Sequence, residues 1–341
     1  MPLILDQHLY AHADRVKGKV VLITGAASGI GRSTAAKYAS YGANVIVADL
    51  NYPAAQQTAK ELRTTDGQIL AIKCDVTIWE DVLAAFELAM EKFGTVDIVV
   101  ANAGVGESAY LQLVRKDEHG RIIKPSTKTV DINLTGVLYT VHLAQHYLLL
   151  NRLDETPLKS VIILGSVASW WFLAGAQYTA TKHAVLGLMR SLDPSFTEKG
   201  IRIATIHPWF ADTDIVPRYL KIGLAGIPLV PVNRIVDAIF NASTDPDPSA
   251  SGSSYWAQPG PVYRIPREEF KLGVYDLIDR EGNAMFVLKD ANSVQRIMKY
   301  LQDITHLFWN PVLKKTMVYG TLGIGVVLAW RHLRQAPVFG S

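Results

Sequence analysis

Tyr178 and Lys182 stand four residues apart in Tyr178-Thr179-Ala180-Thr181-Lys182. A helix over Ala180 to Leu192, which the local composition favours, would carry both side chains on one face. An ammonium beside a phenol stabilises the phenolate, so Lys182 is expected to draw Tyr178 down from about 10 toward working pH. A phenol tuned in this way can protonate a ketone oxygen or deprotonate a secondary alcohol. Such pairs recur by chance in helices, so the assignment needs further residues.

A second group could hold an anion. Val20-Val21-Leu22-Ile23 reads as a strand and runs directly into Thr24-Gly25-Ala26-Ala27-Ser28-Gly29-Ile30-Gly31, after which a helical pattern continues to about Tyr41. Glycines at a strand-to-helix turn allow tight backbone angles and close approach of a pyrophosphate, which the exposed N–H groups of the helix start can bind. The spacing is Gly-x-x-x-Gly-x-Gly, and Gly31-Arg32-Ser33 lacks the lysine of a P-loop. Asp49 closes the second strand, and a carboxylate about 20 residues beyond such a loop can accept bonds from ribose hydroxyls and repel a 2′-phosphate. Ser28 stands where a basic residue could have welcomed that phosphate. The expected cofactor is therefore NAD rather than NADP.

The elements around these residues alternate. Apolar runs at Val20–Ile23, Val45–Ala48, Ile69–Lys73, Ile98–Ala101, Val161–Leu164 and Ile203–Ile206 are separated by helical stretches, one of them from about Pro53 to Thr64. Continuous β-branched runs suit strands covered on both faces. The pattern predicts an α/β fold, a doubly wound parallel sheet of Rossmann type in one domain, with a helical C-terminal extension. The expected division is an N-terminal extension at 1–17, a nucleotide-binding domain at 18–265 and an extension at 266–341. Residues from about Gly106 to Pro125 are charged and aperiodic and read as a surface excursion. Asn292 to Phe308 is amphipathic. Thr316 to Trp330 is uncharged but shorter than the roughly 20 residues that span a bilayer, leaving three readings: packing on the protein itself, membrane contact, or a dimer contact.

Bulk properties narrow the function. Of 341 residues, 49% are apolar and 19% charged, enough for a sizeable core. A net charge of +3 without basic clusters argues against a nucleic-acid partner. Cys74 is the sole cysteine, so no internal disulfide forms, and it reads as an inert core thiol. Met-Pro-Leu-Ile-Leu-Asp at the start does not resemble a secretory signal, and a cytoplasmic location is expected, with membrane association through the C-terminal segment as the variant. No His, Cys, Asp and Glu cluster has zinc spacing, and His207, before Pro208, reads as structural.

Taken in order, Thr24-Gly25-x-x-x-Gly29-Ile30-Gly31, Asp75-Val76, Asn102-Ala103-Gly104, Asp131-Ile132-Asn133, Ser166, Tyr178 and Lys182 resemble the motifs of the short-chain dehydrogenase/reductase family over about residues 18–265. The resemblance implies that Tyr178 transfers the proton, that Lys182 lowers its pKa and bonds the nicotinamide ribose, that Ser166 bonds the substrate oxygen, and that Asn133 positions a water linking Lys182 to solvent. It also implies that Asp75 and Val76 flank the adenine and that Asn102, Ala103 and Gly104 shape the cofactor floor. The family's Pro-Gly stretch appears as Pro208-Trp209-Phe210-Ala211-Asp212-Thr213, with Ala211 and Thr213 at the nicotinamide end. Trp209 departs from the usual glycine, Ala101 from a frequent asparagine, and the spacing of twelve from Ser166 to Tyr178 is slightly short. Family members are commonly dimers or tetramers, so a homo-oligomer is compatible with the resemblance.

Trp170, Trp171 and Phe172 lie between Ser166 and Tyr178, and Trp209 and Phe210 follow the sixth strand. Loops at strand carboxyl ends line the ligand crevice in such folds, so an aromatic wall would favour a small hydrophobic or ring-containing alcohol or ketone. Packing of a lid or of the C-terminal tail is the competing reading. Pro208-Trp209-Phe210 is also similar to fungal biosynthetic members and to hydroxyprostaglandin dehydrogenase-like ones. The alternative to an enzyme is an idle nucleotide-binding membrane adaptor, against which the complete Asn133, Ser166, Tyr178 and Lys182 set argues.

Overall fold

A computed structural model describes residues 3–63, 67–150, 158–171, 175–211, 213 and 228–268. Nine strands form one sheet: β1 (Leu3–Ile4), β2 (Val20–Thr24), β3 (Asn44–Asp49), β4 (Ile69–Lys73), β5 (Ile98–Ala101), β6 (Ser160–Leu164), β7 (Arg202–Pro208), β8 (Ser254–Ala257) and β9 (Val262–Ile265). Their spatial order is β1-β9-β8-β7-β6-β5-β2-β3-β4. From β4 through β8 every pairing is parallel, and β9 and β1 add an antiparallel edge. The expected doubly wound sheet is present. The short strands β8, β9 and β1 lie beyond the six anticipated from apolar runs.

Alternation along each strand divides the core into two layers. Val21, Ile23, Val45 and Val47 pack on one face with Tyr38 and Phe240, while Val20, Leu22, Ile46 and Ala48 pack on the other with Phe86, Val141 and Phe196. Both faces are covered, which is why these strands read as uninterrupted apolar runs. Burying each Val or Ile side chain contributes about 1.5–3 kcal/mol, and a charge placed at any of these positions would be stranded in the core. The first layer is closed by α1 (Gly29–Ser40) and the helix Val232–Thr244; α3 (Trp79–Phe93) closes part of the second. Between α1 and α3 lies α2 (Tyr52–Glu61), whose first turn is capped by the Asn51 side chain accepting from Ala54 N.

A long helical stretch follows the 106–127 excursion: Lys128–Val130, a π-helical turn at Asp131–Thr135, and α4 (Gly136–Tyr147). Gly136 is required there, because a Cβ would lie 2.6 Å from Val76 Cγ2. Next, α5 (Ala176–Glu198) buries Gln177, Thr181, Lys182, Val185, Leu186, Met189 and Asp193 along one stripe. The helix Val232–Thr244 is α6.

The N-terminal stretch does not stand apart from the sheet. Leu9 and Val16 are buried, Tyr10 bonds Asp237 through its hydroxyl, and β1 pairs with β9. Among the described residues no helix is long and apolar enough to cross a membrane. The amphipathic stretch at 292–308 and the segment at 316–330 lie outside the described residues, as does Phe172.

Candidate functional site

The chain leaves β2 toward β3 and β4 on one side and returns to β5 on the other, so strand order reverses between β2 and β5. Ligands of open α/β sheets bind outside the carboxyl ends of the strands at such a switch point. The glycine loop sits there. Gly25 has φ +65, and a Cβ on it would come 2.8 Å from Ala103 Cα. At Gly31 a Cβ would fall 2.1 Å from Gly25 O. Neither position admits a side chain, and the loop folds tightly against itself and against β5. Asn102 locks this contact, its Nδ2 donating to Thr24 O and Gly25 O at 2.9 Å each. Thr24 Oγ1 accepts from the amides of Asn102 and Ala103, a role that sequence spacing did not reveal.

Ser28 precedes α1 with no side-chain capping bond, and Ser28 and Gly29 are exposed while Ile30 is partly so. The first turn of α1 thus opens outward with its amide groups available to an anion, as a dinucleotide requires. Asp49 has both carboxylate oxygens engaged: Oδ2 accepts from Ala27 N and Oδ1 from Asn51 N, each at 2.9 Å. It is therefore a brace for the glycine loop whatever else it binds. Asp75 accepts from Thr77 N and Thr77 Oγ1, and Val76 is buried against Gly136.

The four residues expected to do chemistry come from three elements. Asn133 lies on the π-helical turn, fully buried, with Oδ1 accepting from Val105 N and Nδ2 donating to Val105 O, both at 2.8 Å. π-turns commonly mark functional positions, and here the turn aims Asn133 at the loop after β5. Gly104 lies against it, since a Cβ there would stand 3.3 Å from Asn133 Oδ1. Ser166 follows β6 and caps the short 3-10 turn Val167–Ser169, accepting from Ala168 N. On α5, Tyr178 and Lys182 share a face, with Lys182 Nζ 5.6 Å from the centre of the Tyr178 ring.

Burial dominates the electrostatics of this pair. Burial pushes the Tyr178 phenol above its ordinary value, and only the hydrogen bond with the Ser166 side chain draws it back. Lys182 is engaged by the backbone. Its Nζ donates to Leu164 O at 2.7 Å, and burial lowers its own pKa to about 8. Desolvation disfavours the charged form of the lysine as it disfavours the phenolate, so burial acts against both charged states of the pair.

Below Ser166 lies a connected set of buried groups. His207 has no exposed surface, and its Nδ1 is 3.0 Å from Ser166 O while Nε2 is 2.8 Å from Thr205 Oγ1. A carbonyl can only accept, so Nδ1 carries the proton and Nε2 accepts from Thr205; the Thr205 oxygen then accepts from Ser254 Oγ at 3.0 Å. Burial pulls His207 down to about 3, keeping it neutral. The structural reading of His207 agrees with these contacts, and its ring also supports Trp170, with centroids 4.0 Å apart.

The aromatic residues divide. Trp170 packs toward the core and Trp209 joins the opposite layer, edge-on to Phe210. Trp171 is 61% exposed beside the Ser166 turn. Ala211 is buried and bridges Val230, and Thr213 N donates to Ala211 O at 2.9 Å. Glu107 was missed by sequence reasoning: its Oε2 accepts from Tyr178 N at 2.8 Å across 71 positions of chain.

A parallel sheet with a glycine-built anion loop at its switch point and a Ser, Tyr and Lys group beside it defines a dinucleotide-binding α/β oxidoreductase fold. The chain belongs to the short-chain dehydrogenase/reductase family, whose model, described as short chain dehydrogenase, matches residues 19–221. It is 32% identical over 230 residues to cyclohexanol dehydrogenase of Acinetobacter sp. (strain SE19), covering 65% of this chain and 84% of that one. It is 35% identical over 215 residues to (-)-trans-carveol dehydrogenase of Rhodococcus erythropolis, covering 59% and 74%. The structure of 3-ketoacyl-(acyl-carrier-protein) reductase from Brucella melitensis complexed with NADH superposes with a TM-score of 0.62 at 25% identity, covering 72% of this chain and 98% of that one. The protein is an oxidoreductase of the class that acts on CH–OH groups, in a family that binds a nicotinamide nucleotide.

Proposed function

We propose that this chain interconverts a small hydrophobic, ring-containing secondary alcohol and its ketone with NAD, using Tyr178 as the proton-transfer group. The observation that carries the reading is the placement of Tyr178 between the Ser166 hydroxyl and the Lys182 face of α5, beside a loop in which Gly25 and Gly31 leave no room for a Cβ. That cradle fits a pyrophosphate, with Gly25, Ser28, Gly29, Ile30 and Gly31 around it, Asp49 toward the ribose, Asp75 and Val76 toward the adenine, and Asn102, Ala103, Gly104, Ala211 and Thr213 along the remainder. Bound there, the nicotinamide would exchange a hydride with the carbinol carbon.

The chain's own groups do the rest. Tyr178, held protonated by burial, is set to give its proton to a ketone oxygen that the Ser166 hydroxyl also bonds. In the oxidation direction the phenol must approach working pH. Its bond with Ser166 favours that change, and Lys182 would add to it on exchanging Leu164 O for the phenol and ribose. Asn133 would hold a water on the path from Lys182 to solvent. Asp49 underlies the preference for NAD, since a 2′-phosphate would meet its carboxylate. Cyclic alcohols are favoured by the relatives that act on cyclohexanol and trans-carveol and by the exposed Trp171 beside Ser166.

The test is Tyr178→Phe in the full chain, assayed with cyclohexanol and carveol by reduced-nicotinamide absorbance. Turnover is expected to fall by about 100- to 10,000-fold, as loss of a general acid does, with NAD affinity within about twofold of wild type. A variant that turns over at the wild-type rate would remove Tyr178 from the chemistry.

A further inference from the structure

Helix α5 begins without a cap of its own. Gly175 precedes it and makes no side-chain capping bond. The first turn of a helix leaves amide groups unsatisfied, and a cap residue normally supplies the missing acceptor. Here the acceptor arrives from the loop after β5: Glu107 Oε2 takes the Tyr178 amide proton at 2.8 Å. The fit is close, because a Cβ on Gly175 would lie 2.7 Å from that oxygen and 3.0 Å from Glu107 Cβ. Glycine at 175 is what lets the carboxylate reach the helix start.

The adjacent residue makes a second tie. Gln177 is 4% exposed, and its Nε2 donates to Ala109 O at 3.1 Å and to Ser126 O at 2.8 Å. Two carbonyls around one atom oblige that atom to be the amide nitrogen, so the orientation of the carboxamide is determined. Ala109 and Ser126 bracket the excursion, and the Gln177 side chain closes its neck. Thr129 reinforces the closure, with Oγ1 donating to Gly106 O or Ser108 Oγ and accepting from Ser108 N. Consecutive residues of α5 thus bind one loop: Gln177 holds both of its ends, and the first end is fastened again, through Glu107, at the amide of Tyr178 itself.

We infer that Glu107 is a positioning residue for Tyr178, capping α5 from the loop after β5, and that Gln177 latches the neck of the 106–127 excursion to the same helical turn. The inference rests on Tyr178 as the proton-transfer group. The phenol's place over the substrate depends on where the first turn of α5 sits, and that turn is held by a carboxylate far away in sequence. A displacement of the order of 1 Å in a reacting group can cost about 100-fold in rate.

The test compares Glu107→Ala, Glu107→Gln and Gln177→Leu in the full chain, by amide hydrogen exchange and by turnover of cyclohexanol and carveol. In Glu107→Ala, exchange at the Tyr178 amide should quicken at least about tenfold while Val185 to Met189 stay protected. Its kcat should fall about 10- to 100-fold, with NAD Kd within about twofold. Glu107→Gln still offers an oxygen to the amide and should restore both readouts to within about threefold. Gln177→Leu should quicken exchange across 109–126 without exposing the Tyr178 amide. Unaltered exchange at Tyr178 in Glu107→Ala overturns the cap, as does a parallel loss of kcat and NAD affinity, or a Glu107→Gln as impaired as Glu107→Ala. Unaltered exchange across 109–126 in Gln177→Leu overturns the latch. Should Tyr178→Phe retain full turnover, the reading of Tyr178 fails and the kinetic half with it, while the exchange data still decide the cap.

Discussion

On the β2–α1 side of the site, main chain rests against main chain. Gly25 lies against Ala103, Gly31 against Gly25 O, and the Asn102 carboxamide closes the seam. On the Ser166–Tyr178 side, buried polar side chains do the holding: His207 under Ser166, Lys182 on Leu164 O, Glu107 on the Tyr178 amide and Gln177 across the loop neck. The first side is rigid because nothing larger than hydrogen fits. The second is held by directed hydrogen bonds between buried polar groups, although Glu107 Oε1 and Gln177 Oε1 are buried without a partner, and unpaired atoms in such a place cost about 1–3 kcal/mol each. Steric rigidity is indifferent to pH, whereas rigidity built from titratable groups is not.

The comparison breaks most visibly at Gly31. Adding one methyl in Gly31→Ala places a carbon 2.1 Å from a backbone oxygen, so the loop itself must shift. A loss of about 2–3 kcal/mol in stability is expected, with dinucleotide affinity down by about two orders of magnitude. Calorimetric titration with NADH would read this. Near-normal affinity would mean that the loop is softer than its packing implies.

The other side should respond to acid. His207 has an ordinary value of 6.5 and is pulled down to about 3 in the fold. Because the folded form resists protonation, the unfolded chain binds the proton first. Stability from this group is complete above 6.5 and drains away as pH falls from there toward 3, by about 1.4 kcal/mol per unit. His207→Asn keeps a donor for Ser166 O but cannot titrate. Urea unfolding between pH 7 and pH 4 should therefore give about 3 kcal/mol less acid loss in His207→Asn than in wild type, whatever the offset at neutral pH. Equal slopes for the two proteins would show that His207 is accessible to protons in the fold.

The same contrast explains what was legible in the sequence. A backbone that must pass close to another, as at Gly25 and Gly31, or adopt a positive φ, as at Gly29, demands glycine, and glycine leaves a mark at fixed spacing, so all three could be read directly. The apolar runs of β2 to β7 were legible for the same reason, since covered strands tolerate little else. Tyr178 and Lys182 were visible as a helical pair, yet their electrostatics were not, because spacing carries no information about burial. Glu107 and Tyr178 are 71 positions apart, and Ser166 and His207 are 41. No local pattern links such partners. The edge strands escaped because β1 has only two residues, while Ser254, Tyr255 and Trp256 in β8 and Tyr263 and Arg264 in β9 leave no continuous apolar run such as β5 shows.

Asp49 bridges the two modes of rigidity, being a side chain that serves the glycine loop. Asp49→Ala leaves the amides of Ala27 and Asn51 without their acceptor, and a loss of about 1–2 kcal/mol should follow in thermal or chemical unfolding. Removing the charge should also raise the use of NADP relative to NAD by about tenfold in kcat/KM. Stability loss without any change in selectivity would restrict Asp49 to bracing the loop.

The smallest effect concerns a residue whose side chain lies largely at the surface. Trp171 is 61% exposed, and Trp170, its neighbour, already fills the space over His207. Trp171→Ala should therefore change stability by no more than about 0.5 kcal/mol. If the indole flanks a ring-containing substrate, truncation removes apolar area from the bound state alone, and KM for cyclohexanol should rise about three- to tenfold while kcat holds. A fall in kcat at constant KM would argue instead that Trp171 sets the position of the Ser166 turn, shifting it from the pliable substrate face to the side that buried polar contacts hold.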